Sequence, residues 1–510
     1  MKKYYLLLTI FLIGSSPLFS QDLDTYNFIK TSVNGYDLWN YAFTTDGTGN
    51  IYATGKLDNN NTNYEEIVTI KYMPNGVLDT SFGTDGIFTY DFGSMIYQRG
   101  IDIAIDANGK ILVTGYAAES FTHRNLFVIR LNQNGTLDTS FNTDGVLEID
   151  NGYSNTAYKI IVDDNDEIFV GGTISTSTVS QLAIIKLNDD GTYDTTFNLD
   201  GISVTDLGNS SDNNYISDMN ILPDGKIMTL ANTEYSILLV RFTDNGQPDT
   251  TYGSGNGIYE YSSGSTSFEY YASEFHINTD DTIFILATKY CVGCNPGSGS
   301  NTNRFIFKMN ANGAYDNTFN GNGEYFIDDF FSPRVSMAVS PTQEVYIAVK
   351  LFDFQLRKLT SSGNLDTSFY GDGSWNPSET ERRKMYPLEM NLNASGELMI
   401  LGKSTLNQLS DESLFYSVLP EQSNVILSVD ENEVNGTFAM YPNPTNDVVY
   451  VKNDNMQASI TVEIFNALGM RLFSKEISNM DNAISLKGYP AGMYYAKVLG
   501  TDTTKSILKN

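Results

Sequence analysis

The chain has 510 residues, of which 41% are hydrophobic, so it can form one large core or several smaller ones. It contains 31 Lys and Arg against 61 Asp and Glu, a formal charge of −30. A negative charge of this size repels nucleic acid and anionic lipid, which argues against a nucleic-acid-binding protein. It is typical of a solvated extracellular surface.

The first residues have the pattern of an export signal. Lys2 and Lys3 precede an apolar run over residues 4–13, and small and polar residues lead to Ser20 and Gln21. A run of this length is too short to span a bilayer, so the pattern predicts a secretory signal peptide over residues 1–20. The signal peptide implies passage through the periplasm. No later apolar run is long enough for a membrane helix, so we expect no membrane span.

A short motif then recurs along most of the chain. The copy at residues 137–141 reads Leu-Asp-Thr-Ser-Phe, and related copies place their aspartate at Asp79, Asp194, Asp249, Asp316 and Asp366. Successive aspartates lie 50 to 67 residues apart. A second motif, seen at residues 110–115 as Lys-Ile-Leu-Val-Thr-Gly, has seven copies in all. Periods of this size indicate stacked units that bury their apolar faces against one another.

One unit contains four strand-like runs, at residues 101–105, 111–116, 126–131 and 146–149. Seven units of four antiparallel strands predict an all-β fold, a seven-bladed β-propeller over residues 21–419. The seventh unit ends without a fourth strand. We expect the N-terminal strand, at about residues 26–33, to supply it and so to close the last blade, which would remove two open sheet edges.

The recurring motif has a structural explanation. Asp138 can accept hydrogen bonds from backbone N–H groups just ahead of it, while Leu137 and Phe141 meet on one side of a helical turn and plug the outer edge of the blade. The alternative is calcium binding by these aspartates, but the spacing lacks the ligand ladder of a calcium loop. We therefore predict no cofactor, with calcium as the alternative.

The motif, extended to Leu-Asp-Thr-Ser-Phe-x-x-Asp-Gly, resembles the delta-60 repeat family of secreted bacterial proteins. The resemblance covers roughly residues 36–418, and the copies at Asp249 and Asp316 drift from the pattern. It implies a propeller-like fold and no shared catalytic residue.

Alignment of the units predicts which residues face the centre of the ring. One column of the innermost strand is apolar throughout and is expected to form core between blades: Phe43, Ile103, Ile160, Met219, Phe275, Met337 and Met390. The residue before it reads Ala42, Asp102, Lys159, Asp218, Glu274, Ser336 and Glu389. Four of these, Asp102, Asp218, Glu274 and Glu389, are candidate ligands for a cation or a basic molecule in the channel. The alternative is a channel that is wet and acidic only because the protein is acidic.

Other candidate sites are few. Cys291 and Cys294 share one insertion, and export favours a disulfide between them over a metal site, because His123 and His276 are the only histidines. No catalytic constellation and no metal site are predicted. The Tyr-rich connections between units suit recognition of a glycan or a surface protein.

A polar linker at residues 420–437 leads to short strands over residues 438–510, which predict a small C-terminal β-sandwich. Its motif residues are Tyr441, Pro442, Asn443, Pro444, Gly469, Gly492, Tyr494 and Lys505. They resemble the type A sorting domain of the type IX secretion system of Bacteroidetes. The resemblance implies that the secretion machinery and a sortase are partners, and that the protein is secreted or displayed on the outer cell surface.

These observations favour an exported, non-enzymatic surface or secreted binding or adhesion protein, with the propeller as cargo. The first alternative is an extracellular enzyme acting on polysaccharide or peptide at the mouth of the channel. The second is a structural matrix component.

Overall fold

The computed structural model describes residues 19–23, 29–33, 36–59, 64–74, 76–120, 123–177, 179–207, 214–262, 267–291, 302–310, 313–328, 335–350, 354–375, 385–392, 396, 398–405, 412–419, 438–441, 445–453, 460–466, 471–477, 482–490, 492–498 and 504–509. In these ranges the regular structure is β-strand, apart from a 3-10 turn at Phe319–Gly321. None of the helical structure found there is long and apolar enough to cross a membrane. The chain divides into two compact units, residues 1–422 and 423–510.

The strands of the first unit fall into groups of similar length and spacing, as the repeats predict. The opening strands are β1 (Phe19–Leu23), β2 (Ile29–Val33), β3 (Tyr36–Thr45), β4 (Ile51–Asn59), β5 (Glu65–Tyr72) and β6 (Ile87–Tyr90). The next two groups are β7 (Tyr97–Ile105), β8 (Ile111–Ser120), β9 (His123–Leu131) and β10 (Val146–Ile149), then β11 (Thr156–Val162), β12 (Ile168–Ser175), β13 (Ser180–Leu187) and β14 (Ile202–Thr205).

The pattern continues to the end of the unit. The following groups are β15 (Tyr215–Ile221), β16 (Ile227–Asn232), β17 (Ile237–Phe242) and β18 (Ile258–Tyr261), then β19 (Phe268–Ile277), β20 (Ile283–Cys291), β21 (Thr302–Met309) and β22 (Glu324–Asp328). The last strands are β23 (Val335–Val339), β24 (Val345–Lys350), β25 (Phe354–Leu359) and β26 (Ser374–Trp375), then β27 (Met385–Leu392), β28 (Leu398–Thr405) and β29 (Glu412–Leu419).

Five sheets each contain four consecutive antiparallel strands: β7–β10, β11–β14, β15–β18, β19–β22 and β23–β26. A further sheet has the order β27-β28-β29-β2-β3-β4-β5-β6, with β1 paired to β2. The chain is therefore an all-β propeller built from four-stranded sheets, with the two ends of its repeat region joined in one sheet.

That join is made by β2. It pairs antiparallel with β29, where Ile29 lies opposite Tyr416 and Thr31 opposite Leu414. It meets β3 through the single pair Val33–Tyr36. Strand β2 thus occupies the place of a fourth strand beside β27, β28 and β29. Residues 1–18 of the predicted signal peptide and residues 24–28 lie outside the described residues, and β1 spans the predicted cleavage position after Ser20.

The innermost strands β3, β7, β11, β15, β19, β23 and β27 each contact the next, and β27 contacts β3. The apolar core lies between neighbouring sheets: Phe43 and Val68 share a buried cluster with Met399 and Leu401 of β28. Because these contacts return to their starting strand, we infer a ring of seven blades closed by β2.

The recurring motif joins neighbouring blades. Phe141 is fully buried, and its ring packs on Gly191 in a turn that follows β13 of the next blade. Gly191 has a φ of +81°, and an added Cβ would lie 2.9 Å from the Phe141 ring. The predicted plug is therefore present, but it fills the contact with the next blade rather than the outer edge of its own, because the turn places the aromatic ring across that boundary.

The motif aspartate has a partner that the sequence analysis missed. Asp138 accepts hydrogen bonds from Ser140 N at 3.2 Å and Ser140 Oγ at 2.7 Å, as predicted, and its other oxygen lies 2.9 Å from Arg130 Nε. Arg130 precedes Asp138 by eight residues, and the same spacing pairs every copy of the motif: Lys71–Asp79, Lys186–Asp194, Arg241–Asp249, Lys308–Asp316 and Lys358–Asp366. Each motif aspartate is therefore bound by a basic side chain and by its own turn. The calcium alternative would need these same carboxylates as ligands.

The second unit contains β30 (Phe438–Tyr441), β31 (Val448–Asn453), β32 (Ile460–Asn466), β33 (Arg471–Ile477), β34 (Ala483–Ser485), β35 (Gly492–Val498) and β36 (Thr504–Lys509). They form a sheet of order β30-β31-β34 and a sheet of order β33-β32-β35-β36. Val449 and Ile484 of the first sheet share a buried cluster with Ile464 and Ile507 of the second. This unit is the predicted small β-sandwich.

Candidate binding channel

The channel surface is shaped by β-bulges in the innermost strands. In six of these strands the pairing with the second strand of the blade slips by one residue, and the skipped residues are Tyr41, Ile101, Tyr158, Ser217, Ser273 and Leu388. A bulge leaves an extra residue unpaired and redirects the side chains beside it. Each skipped residue lines the channel together with the residue that follows it.

The bulge also explains a recurring glycine. Gly115 ends one copy of the second repeated motif and lies opposite Gly100, at the edge of the bulge. A Cβ on Gly115 would collide with the carbonyl oxygen of Arg99, so no other residue fits without a shift of the backbone. Gly172 faces the same collision with the carbonyl oxygen of Thr156, whereas the equivalent bulges of β15 and β19 lie opposite Ala231 and Ala287.

The channel has a volume of about 960 Å³. All four predicted carboxylates, Asp102, Asp218, Glu274 and Glu389, line it together with Lys159. The seven residues of the predicted apolar column are all buried next to them. The structure therefore brings the predicted candidate residues to one cavity.

Each of the four carboxylates is engaged in holding two blades together. Asp102 accepts a hydrogen bond from Ile160 N at 2.8 Å, Asp218 from Phe275 N at 3.2 Å, Glu274 from Met337 N at 2.7 Å, and Glu389 from Phe43 N at 2.7 Å. In every case the donor belongs to the apolar column of the next blade. We call these contacts the interblade clamps.

Lys159 is the basic residue of this ring. Its Nζ lies 3.6 Å from Asp102 Oδ2 and 3.6 Å from Asp218 Oδ1. The Lys159 side chain is 28% exposed, against 8% for Asp102 and 16% for Asp218. Burial acts to lower the pKa of Lys159, but the two carboxylates outweigh it and the pKa is raised. Lys159 therefore stays charged and balances part of the acidic ring.

Burial dominates the pKa values of the two glutamates. Burial raises the pKa of Glu274 to about 8 and the pKa of Glu389 to about 8, although a backbone N–H and Lys159 act in the opposite direction. Much of the glutamate charge is thus neutralised by protons near neutral pH.

His276 is a channel residue that the sequence analysis did not connect with the acidic column. It lines the same cavity, its Nε2 lies 3.2 Å from Asn278 Oδ1, and burial lowers its pKa. The other histidine, His123, pairs with Asp150 at 3.0 Å. Among the described residues no three His, Cys, Asp or Glu side chains come together in a way that could hold a metal ion.

A group of tyrosines from neighbouring blades lies in or beside the channel. We call Tyr41, Tyr116, Tyr158, Tyr215 and Tyr271 the tyrosine rim. Tyr41 and Tyr158 line the channel, and the Tyr158 and Tyr215 rings lie 5.7 Å apart. The next member, Tyr271, donates its hydroxyl hydrogen to Glu269 at 2.8 Å.

Two arginines lie beside the tyrosine rim. Arg99 binds Glu65 through Nε and Nη2, both at 2.9 Å. The ring of Tyr116 lies near both arginines, with its centroid 5.8 Å from the Arg99 guanidinium carbon and 4.7 Å from that of Arg124. The sequence analysis missed this cluster. Its members lie on three different strands, β7, β8 and β9, whereas the alignment of repeats compared only equivalent positions of the innermost strands.

The remaining predicted residues lie elsewhere. Cys291 is disulfide-bonded, and the only other cysteine of the sequence, Cys294, lies outside the described residues. Tyr494 of the sorting motif is buried in the second unit and donates to Pro490 O at 2.6 Å.

The other sorting residues have these positions: Tyr441 is in β30, Gly492 in β35 and Lys505 in β36, while Pro442, Asn443, Pro444 and Gly469 lie outside the described residues. Lys509 ends β36, four residues after Lys505. It is buried, donates to Leu486 O and Tyr489 O, and pairs with Asp447 at 3.1 Å.

Two family models match the chain. Residues 439–510 match a secretion system C-terminal sorting domain, and residues 107–141 and 165–197 match a β-propeller domain of unknown function, DUF5122. The chain is a β-propeller protein with a type IX secretion sorting domain. It is exported by that system and is displayed on the cell surface or secreted. The secretion machinery is therefore a partner of the sorting domain.

No curated protein matches the chain significantly. Similar solved structures include the polysaccharide lyase Uly1, at 8% identity and a TM-score of 0.48, over 74% of this chain and 89% of that one. Another is PorZ, a surface component of the type IX secretion system of Porphyromonas gingivalis, at 13% identity and a TM-score of 0.37, over 92% of this chain and 58% of that one. A glucose dehydrogenase has 12% identity and a TM-score of 0.35, over 62% of this chain and 94% of that one.

The interblade clamps predict a difference between two substitutions of one residue. Glu274→Ala leaves the buried N–H of Met337 without an acceptor and should cost about 1–3 kcal/mol of unfolding free energy. Glu274→Gln keeps an acceptor oxygen and should cost less than about 1 kcal/mol. Urea unfolding of both variants, with exposed Glu119→Ala as control, measures the difference. Equal losses for Ala and Gln would show that the clamp contributes nothing.

The raised pKa values predict how stability depends on pH. Between the 4.5 of an ordinary glutamate and about 8, the folded protein holds protons on Glu274 and Glu389 that the unfolded chain has released. The contribution of these groups to stability is therefore full below pH 4.5 and is lost as the pH rises toward 8. Melting curves from pH 5 to 9 should fall for the wild type and flatten for the Glu274→Gln, Glu389→Gln double variant. A wild-type slope retained in that variant would contradict the assignment.

Proposed function

We propose that the propeller is a non-enzymatic binding module that the sorting domain carries to the cell surface, and that its ligand is a glycan bound at the tyrosine rim. The observation that supports this most is the engagement of the channel carboxylates. All four act as interblade clamps, so they contribute to a rigid, preformed cavity. Preformed concave sites with a few fixed polar groups are typical of ligand binding.

The composition of the rim supports a glycan. Tyrosine offers a flat apolar ring and a polar hydroxyl, which suit a sugar that has both apolar faces and hydroxyl groups. Ser217 and Ser273 line the same channel as Tyr158 and add small polar groups to it. These residues sit at bulges and strand ends of a rigid scaffold, where binding residues commonly lie.

One observation favours the second candidate function, an enzyme acting on polysaccharide. Glu274 has a pKa of about 8 and shares the cavity with His276 and Lys159. A carboxylic acid that is protonated near neutral pH can act as a general acid. In that case Glu274→Gln or Asp218→Asn would abolish turnover while leaving binding in place.

Binding to a glycan array tests both candidates. We expect binding without product formation, and a loss of roughly tenfold or more in affinity for Tyr158→Ala, because removing a central aromatic contact costs about 2 kcal/mol. The control is Tyr370→Ala, a tyrosine 42% exposed on the connection between β25 and β26. Product formation that Glu274→Gln abolishes would support the enzyme, and failure to bind any glycan would overturn the proposal.

The sorting domain makes a separate prediction. A chain lacking residues 438–510 should accumulate in the periplasm, because the remaining propeller has lost the segment that the secretion system recognises. Immunoblots of periplasm, outer membrane and medium measure this, with the full-length Glu119→Gln variant as control. Wild-type amounts of the shortened chain outside the cell would contradict it.

A further inference from the structure

Arg124 differs from its neighbour Arg99, which lies beside the same Tyr116 ring. Arg99 is bound by both oxygens of Glu65, whereas no carboxylate of a described residue lies within 4.0 Å of Arg124. The chain has about twice as many acidic as basic residues. A basic side chain with no carboxylate of a described residue beside it is therefore unexpected, and we ask what it could bind.

The structure holds this arginine in place without using its hydrogen-bond donors. Its guanidinium carbon lies 4.7 Å from the centroid of the Tyr116 ring, and its backbone oxygen accepts a hydrogen bond from Asn155 N at 2.7 Å. No hydrogen bond from the guanidinium to a described residue is formed. A guanidinium offers five donors in a planar fork that fits a carboxylate or a sulfate.

The position of Arg124 connects it to the proposed ligand site. Its hydrogen bond from Asn155 N holds it three residues before Tyr158, the rim residue that lines the channel. Burial raises the pKa of the Tyr158 hydroxyl, and the charge of Arg124 acts in the opposite direction. A sugar ring stacked on Tyr158 would therefore carry its substituents close to the guanidinium. The negative charge of the whole protein does not prevent such a contact, because charges farther away than about 8 Å are screened at physiological ionic strength.

We propose that the channel mouth binds a glycan with an acidic substituent, a uronate carboxylate or a sulfate ester, and that Arg124 binds this substituent while Tyr158 stacks on the sugar. The inference rests on the proposed function and adds the chemical class of the ligand. A paired, charge-assisted contact to a carboxylate or a sulfate gives this arginine a role that packing on Tyr116 alone does not require.

Calorimetry with the full chain tests the inference. The probes are oligogalacturonate, its methyl ester, a sulfated galactan oligosaccharide and polyglutamate. We expect at least one acidic glycan to bind roughly tenfold or more tightly than the neutral methyl ester, a difference of about 1.4 kcal/mol. Arg124→Gln should remove that preference and Arg124→Lys should keep part of it. The control Arg471→Gln, an arginine 61% exposed in the second unit, should change nothing. Melting temperatures show whether each variant is folded.

The outcomes separate the two proposals. Equal affinity for the acid and its methyl ester, unchanged by Arg124→Gln, overturns the inference and leaves the proposed function standing. No binding to any glycan overturns both. Polyglutamate binding as tight as that of the acidic glycans overturns the choice of glycan over peptide. The galacturonate and sulfated probes show which acidic group is preferred.

Discussion

The pairing of β2 with β29 is the contact on which the rest of the first unit depends. A ring of blades has no covalent bond between its first and last members, so an open ring would expose two sheet edges and an apolar face. Here Ile29 and Thr31 of β2 pair with Tyr416 and Leu414, and the chain then continues directly into β3. One short segment thus belongs to the last blade and leads into the first.

Closure has a consequence for the centre of the ring. The innermost strands lie near enough for a carboxylate of one blade to accept the backbone N–H of the next, as Glu389 does from Phe43 across the join between the last and first blades. The same acidic residues line the channel, so its surface and the stability of the ring depend on one set of groups.

Much of this architecture could be predicted from the sequence. The repeats predict the four-stranded sheets, and the acidic column was found because it occupies one position of the aligned units. The role of the acidic column in joining blades could not be predicted. It depends on the bulges that place Asp102 or Glu274 at the boundary with the next blade, and these bulges are not visible in the alternation of apolar and polar residues. His276 looked isolated for a related reason, because only the ring brings it to the other channel residues.

Other features were visible but not used. The basic residue eight positions before each motif aspartate, as in Arg130 and Asp138, is a regular sequence signal. The cluster of Arg124 and Tyr116 could not be found by aligning units, since the other blades do not repeat it.

Hydrogen exchange measures ring closure most directly. In the full chain, the backbone amides of β29 should exchange as slowly as those of the equivalent strand β25, because β2 covers the outer edge of β29. Removal of residues 21–35 should speed exchange in β29 and lower the melting temperature of the propeller, while leaving β25 slower than β29. Exchange in β29 that is fast in the full chain, or unchanged by the truncation, would contradict a ring closed by its own N-terminal strand.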